Sequence, residues 1–188
     1  MKKYIIQSLR LTGVLMVLLC VIYPLTIAFI GRLSPGEGSG EKVLKNGKVV
    51  GYTLIGQSCT KPEYFWGRPS AVGYNAAGSG GSNKGPTNAD YLKDVEGRID
   101  TLLKYHSYLK KSDIPADMIT ASGSGLDPDI SEQAAIIQIR RVAANRGLTD
   151  RAVAELVVKN TEGPLFGLFG PSKVNVLKLN VALDELKK

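Results

Sequence analysis

Side chains able to do nucleophilic or acid–base chemistry are few and lie far apart in this sequence. The one histidine, His106, falls near the end of a predicted helix, and one histidine among many serines does not make a catalytic triad. Ser107-x-x-Lys110 has the spacing of a penicillin-interacting serine motif, but the S-D-N and K-T-G motifs that accompany it are missing. The sequence therefore predicts no catalytic residue, and His106 is interpreted as a half-buried helix residue.

Two carboxylates, Asp127 and Asp129, flank Pro128 shortly before a predicted helix. The simpler interpretation is a proline turn whose acids complement the helix dipole. The alternative is a rim that weakly attracts cations. A zinc site is excluded because one histidine and one cysteine outside the apolar segment cannot supply its ligands, so no metal site is predicted.

The glycine- and serine-rich segment 78–86, GSGGSNKGP, suggests a phosphate-binding loop. A P-loop requires G-x-x-x-x-G-K-[ST], whereas Lys84 is followed by Gly85 and Pro86. A loop packed on its own backbone is therefore favoured, and a nest of N–H groups around an anion stays as the alternative.

The segment that positions the rest of the chain is the uncharged run 11–31, 21 residues between Arg10 and Arg32. As a helix it would span roughly 32 Å, close to the ~30 Å hydrocarbon core of a bilayer. A cleaved signal peptide has a shorter apolar region and a small-residue cleavage site, so an uncleaved anchor is predicted. Pro24 should kink this helix, and Gly13 should allow close helix packing.

The charges beside this run predict its orientation. Lys2, Lys3 and Arg10 precede it without any acid, whereas both signs follow Arg32. The positive-inside rule then places the N-terminus in the cytoplasm. The predicted organisation is a cytoplasmic basic stub (1–10), a transmembrane helix (11–31), a linker (32–41) and an extracytoplasmic domain (42–188).

Composition narrows the possible functions of that domain. The chain carries a net charge of +7, of which four positive charges fall in the first 32 residues, leaving +3 over the other 156. This balance gives no indication of nucleic-acid binding. The two cysteines, Cys20 in the span and Cys59 outside it, are not expected to pair, so packing must stabilise the domain.

The first half of the domain contains a predicted hairpin, a long loop and a helix. Asn46-Gly47 between the strand-like runs 43–44 and 49–55 is typical of a type I′ turn. The loop from Gln57 to Pro86 is expected to be ordered, because aromatic residues bracket it. Thr87 or Asn88 then caps a helix. The predicted buried face of this helix consists of Leu92, Val95, Ile99, Leu102, Leu103 and His106.

The second half predicts mainly helices. Ser131 should cap a helix that runs to about Asn145 and ends at Gly147, and Thr149 should cap a helix over 150–160. Residues 174–179 are predicted to form a strand, followed by a short helix that begins at Asn180. Helices and strands mix without a βαβ alternation, so the fold class is α+β, one mixed domain after a single N-terminal transmembrane helix.

Five stretches closely resemble the C subunit of the Kdp potassium-transporting P-type ATPase. They are residues 64–71 (YFWGRPSA), 74–77 (YNAA), 79–88 (SGGSNKGPTN), 115–131 (PADMITASGSGLDPDIS) and 174–180 (VNVLKLN). Residues 140–143 and 161–163 add to the match, which extends over nearly the whole chain.

The resemblance implies a non-catalytic accessory subunit of a high-affinity, ATP-driven potassium importer in a bacterial or archaeal cell (inner) membrane. The implied partners are a channel-like potassium-binding subunit, a catalytic P-type subunit and a small hydrophobic subunit. Potassium would be the transported ion. The family is described as a catalytic chaperone that raises the ATP affinity of the catalytic subunit, although ATP lies inside and this domain is predicted outside.

Two mechanisms stay open on this resemblance. Either the outer domain caps the potassium entrance, or the subunit contacts ATP or the nucleotide domain. The candidate contacts with an ion, a nucleotide or another subunit are Gln57, Arg68, Asn75, Ser82, Asn83, Asp127 and Asp129, and no cofactor is assigned to this chain itself. A different function, an independent membrane-anchored cell-envelope hydrolase or binding module, is the alternative.

Overall fold

The computed structural model describes residues 2–186, which divide into two compact units, one up to Lys42 and one from Val43. The first unit is dominated by a continuous helix, made of α1 (Lys2–Met16), a π-helical segment (Val17–Ile22) and α2 (Tyr23–Gly31). The 29-residue stretch of this helix from Lys3 to Gly31 is long enough and apolar enough to cross a membrane. The basic residues before the apolar run therefore form the first turns of the same helix.

The π-helical segment accommodates Pro24. Proline has no N–H and its ring clashes with the carbonyl four residues earlier in an α-helix. The turn before it is widened, with Tyr23 N–H donating to Leu18 O, five residues back. Thr26 Oγ1 donates to Ile22 O at 2.8 Å. Pro24 therefore disturbs the helix through a π turn, one of the recognised causes of helix irregularity.

A two-stranded hairpin follows, made of β1 (Lys42–Lys45) and β2 (Lys48–Tyr52). Asn46 (φ 51°) and Gly47 (φ 75°) both adopt the left-handed backbone that a type I′ turn requires, which confirms the predicted hairpin. The second strand ends three residues earlier than predicted. The chain turns there, and Ile55 N–H donates to Tyr52 O.

The long loop is held by buried contacts, in agreement with the prediction of an ordered segment. Phe65 is fully buried. Asn180 clamps its backbone, accepting from Phe65 N–H at 2.8 Å and donating to Phe65 O at 3.0 Å. Trp66 N–H donates to Gln138 Oε1 at 2.8 Å. Helix α3 (Ala89–Tyr105) then begins after Asn88, whose side chain accepts from Tyr91 N–H.

The buried face of α3 is only partly as predicted. Ile99 and Leu102 are buried, and Val95 and Leu103 pack beside the core. Leu92 is half exposed, so its prediction is wrong, because it lies in the first turn, away from the core contacts. His106 is fully buried, which corrects the half-buried interpretation.

A small antiparallel sheet has the order β3–β5–β4, with β3 at Asp129–Ser131, β4 at Thr161–Glu162 and β5 at Lys173–Asn175. Asp129 pairs with Asn175, and Thr161 pairs with Val174. Asp129 is therefore in a strand and not in the predicted turn. Two 3₁₀ turns, Lys111–Asp113 and Ala116–Met118, precede this sheet in the chain.

The last helix begins earlier than predicted. Helix α7 spans Val176–Glu185, and Asn175 caps it by accepting from Lys178 N–H at 3.0 Å. The predicted strand over 174–179 is thus confirmed only at Val174 and Asn175, and the predicted cap at Asn180 is wrong. Val176 and Leu177 are residue types that also occur in strands, which is why a strand was predicted. The hydrogen bond from Lys178 N–H to the Asn175 side chain favours a helix that begins directly after Asn175.

The helix predicted from Ser131 to Asn145 is two helices, α4 (Glu132–Ile136) and α5 (Ile139–Arg146). Gln138 interrupts it, because its side-chain amide donates to Ala134 O at 3.0 Å while its own N–H bonds Ala135 O. The caps at Ser131 and Gly147 are confirmed. Helix α6 (Asp150–Lys159), capped by Thr149, is also as predicted.

Candidate functional site

Two cavities, with volumes of about 250 and 360 Å³, are both lined by Ser58 and Cys59. Both are lined by Gly67 and Tyr74 as well. Burial raises the pKa of Tyr74 to about 12, and its hydroxyl donates to Arg68 O. Burial also raises the pKa of the Cys59 thiol. Neither group is therefore ionised at neutral pH. The charged side chains in the linings are Lys45, Asp127 and Asp184 in the smaller cavity and Arg68 and Arg98 in the larger one.

Arg68 and Asp127, two predicted site residues, are brought together. Arg68 Nη1 lies 2.9 Å from Asp127 Oδ2, and both side chains are about three-quarters buried. The other carboxylate oxygen of Asp127 accepts from Asp129 N–H at 3.1 Å. This pair joins the aromatic loop to the start of β3, which gives it a clear structural role.

Asp129 is paired separately with the neighbouring strand. Its carboxylate lies 2.8 Å from Lys173 Nζ and accepts from Asn175 Nδ2 at 3.2 Å. The hydrogen bond with Asp129 raises the pKa of Lys173. Within residues 2–186, no three His, Cys, Asp or Glu side chains are grouped to hold a metal ion. Protein cations thus neutralise both carboxylates of the Asp127-Pro128-Asp129 motif.

Of the remaining predicted residues, one joins this group and three lie elsewhere. Gln57 lines the smaller cavity together with Asp127 and donates to Val50 O at 3.2 Å. Asn75 closes its own turn by accepting from Ala77 N–H at 3.0 Å. Ser82 and Asn83 are exposed, and Asn83 has a left-handed backbone (φ 51°). The seven candidates therefore do not form one site.

The two small-residue loops pack on each other. Gly80 N–H and Ser79 Oγ donate to Ser124 O at 2.8 and 2.9 Å. Gly125 has φ +68°, and a Cβ there would lie 2.5 Å from the Val72 side chain and 2.8 Å from Gly80 O. The loops therefore require glycine for close approach, and the N–H groups of Gly78 and Gly80 already donate within the protein. The packed-loop interpretation is favoured over the nest.

The largest buried polar cluster was not predicted. Arg141 is 3% exposed and has no carboxylate partner among the described residues. Its guanidinium lies 4.2 Å from the centre of the Trp66 ring. It donates to four acceptors, the carbonyl oxygens of Pro62 and Tyr64 (2.9 Å for Tyr64), His106 Nε2 (2.9 Å) and Gln138 Oε1 (2.6 Å). Burial lowers the pKa of Arg141 to about 10, so the group stays charged at neutral pH.

Both nitrogens of the His106 ring are used in this cluster. Nε2 accepts from Arg141 Nε–H, so the ring hydrogen is on Nδ1, which lies 2.8 Å from Leu102 O. Burial is the main cause that lowers the pKa of His106, and the Arg141 charge adds to it. His106 is thus a neutral structural histidine and is not free to act as a general base.

A second unpredicted cluster surrounds Asp184. Its carboxylate accepts from Lys45 Nζ, from Arg146 Nη2 at 2.6 Å and from Tyr64 OH at 3.1 Å. The Arg146 guanidinium also lies 4.5 Å from the centre of the Tyr64 ring. Burial alone would raise the pKa of Asp184, but the hydrogen bonds from Lys45 and Arg146 outweigh it and lower that pKa. This cluster joins the hairpin, the aromatic loop, α5 and α7.

The sequence did contain a signal for the Arg141 cluster. Ala134, Gln138 and Arg141 recur at spacings of four and three residues, which places all three on one helix face. Ala134 belongs to the core, so polar residues on the same face must be buried and paired. The partners could not be found in this way, because they come from segments about 35 to 80 residues away.

These features define a class of small proteins with one helix able to span a membrane and one α+β body, whose buried charged groups hold loops in place. The chain belongs to the KdpC family, described as the c chain of the K+-transporting ATPase, and the match runs over residues 5–185.

Full-length relatives carry the same description. The chain is 58% identical over 185 residues to the potassium-transporting ATPase KdpC subunit of Flavobacterium johnsoniae, covering 98% of this chain and 100% of the relative. It is 51% identical over 188 residues to that of Bacteroides fragilis, covering 98% of both. It is 46% identical over 190 residues to that of Caldanaerobacter subterraneus subsp. tengcongensis, covering 100% of this chain and 98% of the relative.

Proposed function

We propose that this chain is a non-catalytic accessory subunit of a potassium-transporting P-type ATPase complex in the cell membrane. It supports the assembly and activity of the potassium-binding and catalytic subunits. The family match over residues 5–185 is the observation that carries the proposal. The buried clusters around Arg141 and Asp184 agree with this role, because they hold loops rigid for contact with other subunits.

The direct experiment is to purify the complex with and without this chain. Without it, the remaining subunits should co-purify poorly and lose potassium-stimulated ATP hydrolysis, whereas the chain alone should hydrolyse no ATP. A variant at an exposed ion pair, Arg151→Ala, is the matched control and should leave assembly unchanged, since that side chain is 89% exposed. Full potassium-stimulated activity without the chain would contradict the proposal.

The proposed location of the body is outside the cytoplasm, on the basis of the charges beside the span. Cys59 is a poor reporter because it is half-buried, so lysines are better positions for added thiols. In a chain without its own cysteines, Lys48→Cys should react with a membrane-impermeant maleimide in sealed spheroplasts, and Lys3→Cys should react only after permeabilisation. The reverse pattern would place the body in the cytoplasm.

The loops around Asn83 and Asp127 are proposed to shape access to the potassium entrance and not to bind the ion. The pairing of Asp127 with Arg68 supports this, because a carboxylate neutralised by a guanidinium is a weak ligand for potassium. Asp127→Asn should shift the apparent potassium affinity of the assembled complex several-fold, and the exchange Arg68→Asp with Asp127→Arg should largely restore it. The control Glu155→Gln removes only a surface pair, with Arg151, outside both loops. An unchanged affinity in Asp127→Asn would count against this role.

The nucleotide hypothesis is less favoured, because loop N–H groups and Gln57 are engaged within the protein. Labelling by an azido-ATP analogue, displaced by ordinary ATP, would be needed to revive it. The hydrolase alternative also has little support, since both nitrogens of the His106 ring are engaged.

A further inference from the structure

A short apolar hairpin extends from the small sheet between β4 and β5. We call residues 163–171 (GPLFGLFGP) the apolar spike. Four large side chains are mostly exposed in it: Leu165 (64%), Phe166 (85%), Leu168 (81%) and Phe169 (65%). Soluble proteins rarely leave such a cluster in water unless it has a binding function.

The spike has a fixed shape. Leu165 N–H donates to Phe169 O at 2.8 Å, and Gly167 N–H donates to Pro164 O at 2.9 Å. Phe166 (φ 54°) and Gly167 (φ 73°) form the left-handed tip, an uncommon conformation for a bulky residue. The strands at its base pair through Thr161 and the fully buried Val174. The core thus holds the four apolar side chains out in the solvent.

The charge pattern separates the spike from the tip of the β1–β2 hairpin. Residues 163–172 contain no charge, and the first charged groups, Glu162 and Lys173, lie at its base. The β1–β2 hairpin also exposes apolar side chains, Leu44 and Val49, but it carries lysines among them. A charged side chain is costly to place in the hydrocarbon of a bilayer, and the spike can enter it without that cost.

The chain itself brings a hydrocarbon phase within reach. Its apolar helix ends at Gly31 and the body begins at Val43, twelve residues later, so the connection is at most ~43 Å long. A body of this size has a radius of gyration of roughly 15 Å. This tether gives the bilayer a high effective concentration at the body's surface, so even a weak apolar contact would be occupied.

We propose that the apolar spike inserts into the lipid bilayer that the N-terminal helix spans, as a second membrane attachment. Leu165, Phe166, Leu168 and Phe169 enter the interface between head groups and acyl chains, and Glu162 and Lys173 stay at the level of the head groups. The proposal holds on either side of the membrane, and it does not depend on the proposed accessory function.

The first test uses the full chain in nanodiscs of phosphatidylethanolamine and phosphatidylglycerol. An environment-sensitive fluorophore is attached at Leu168→Cys in a chain without its own cysteines, and lipids with a spin label on the acyl chain serve as quenchers. The label should lose at least half of its emission. The matched control, Leu54→Cys, is an equally exposed leucine (73%) outside the spike and should be quenched little. Equal quenching at the two positions overturns the proposal.

Two further measurements make the result specific. Adding Phe166→Ser and Phe169→Ser to the Leu168→Cys chain should abolish quenching, while emission from Trp66, the single tryptophan, reports that the body is still folded. In the assembled complex, a photo-crosslinking phenylalanine analogue at position 166 should label lipid. Crosslinking to a protein subunit in place of lipid would show that the spike docks on a protein and would overturn membrane insertion.

Discussion

Replacing Arg141 by methionine tests whether the buried guanidinium holds the aromatic loop on the helices. Methionine keeps an unbranched side chain of similar reach but donates no hydrogen bond. Arg141→Met would remove a donor from one buried acceptor, His106 Nε2, and from two partly buried ones, Pro62 O and Tyr64 O. Gln138 Oε1 would still accept from Trp66 N–H.

The size of the effect follows from those acceptors. A buried polar group left without its partner costs about 1–3 kcal/mol. One buried and two partly buried acceptors, offset in part by no longer burying a charge, give an expected loss of about 3–5 kcal/mol. This is a large fraction of the ~5–15 kcal/mol that stabilises a typical domain. Arg141→Lys should recover little, because an ammonium cannot reproduce the planar fork of donors.

The free energy of unfolding can be measured by urea titration of the full chain in detergent. Trp66 is the only tryptophan and lies against Arg141, so its fluorescence reports on this cluster. Arg140→Met is the matched control, because the Arg140 side chain is exposed and its guanidinium lies 5.0 Å from the centre of the Tyr108 ring. If Arg141→Met and Arg140→Met lie within about 1 kcal/mol of each other, the reasoning is refuted.

Three further predictions concern the other buried polar groups. Burial lowers the pKa of His106 in the folded protein, so below about pH 6.5 the unfolded chain takes up this proton more readily than the folded chain. The free energy of unfolding should therefore fall as the pH decreases below 6.5, by at most ~1.4 kcal/mol per pH unit, and His106→Asn should reduce that slope in pH-dependent urea titrations. Asp184→Asn removes a carboxylate that three groups share, and should lower the thermal midpoint by several degrees in circular dichroism, whereas Asp94→Asn at a surface pair should change it little. Asn180→Leu leaves the backbone N–H and C=O of the buried Phe65 unpaired and should lower the free energy of unfolding by about 2–4 kcal/mol. Hydrogen exchange at residues 64–66 should rise first, and unchanged exchange there would contradict the role of Asn180.

Local features were predictable where neighbouring residues determine them. The Asn46-Gly47 turn and the Asn88, Ser131 and Thr149 caps depend on backbone angles and on hydrogen bonds within three or four residues, and all were found as predicted. The apolar helix was equally predictable from the sequence, because its length and its lack of charge are properties of one continuous segment.

Several element boundaries were wrong for a common reason. The predicted strand over 174–179 ends at Asn175, whose side chain caps α7 and also donates to Thr53 O at 2.8 Å. The predicted long helix breaks at Gln138, whose amide bonds the backbone of Trp66. In each case a side chain is engaged with a residue distant in sequence, and that contact competes with the local pattern.

The sequence by itself determined the apolar N-terminal helix, the hairpin turn, the helix caps, the α+β class and, through long specific motifs, the family. Only the tertiary structure decided the state of the charged groups. It paired Asp127 with Arg68 and Asp129 with Lys173, buried Arg141 beside His106, and left the apolar spike in solvent. The physical reason is that local propensity acts over a few residues, whereas the burial and the partner of a charge depend on segments that meet only when the chain folds.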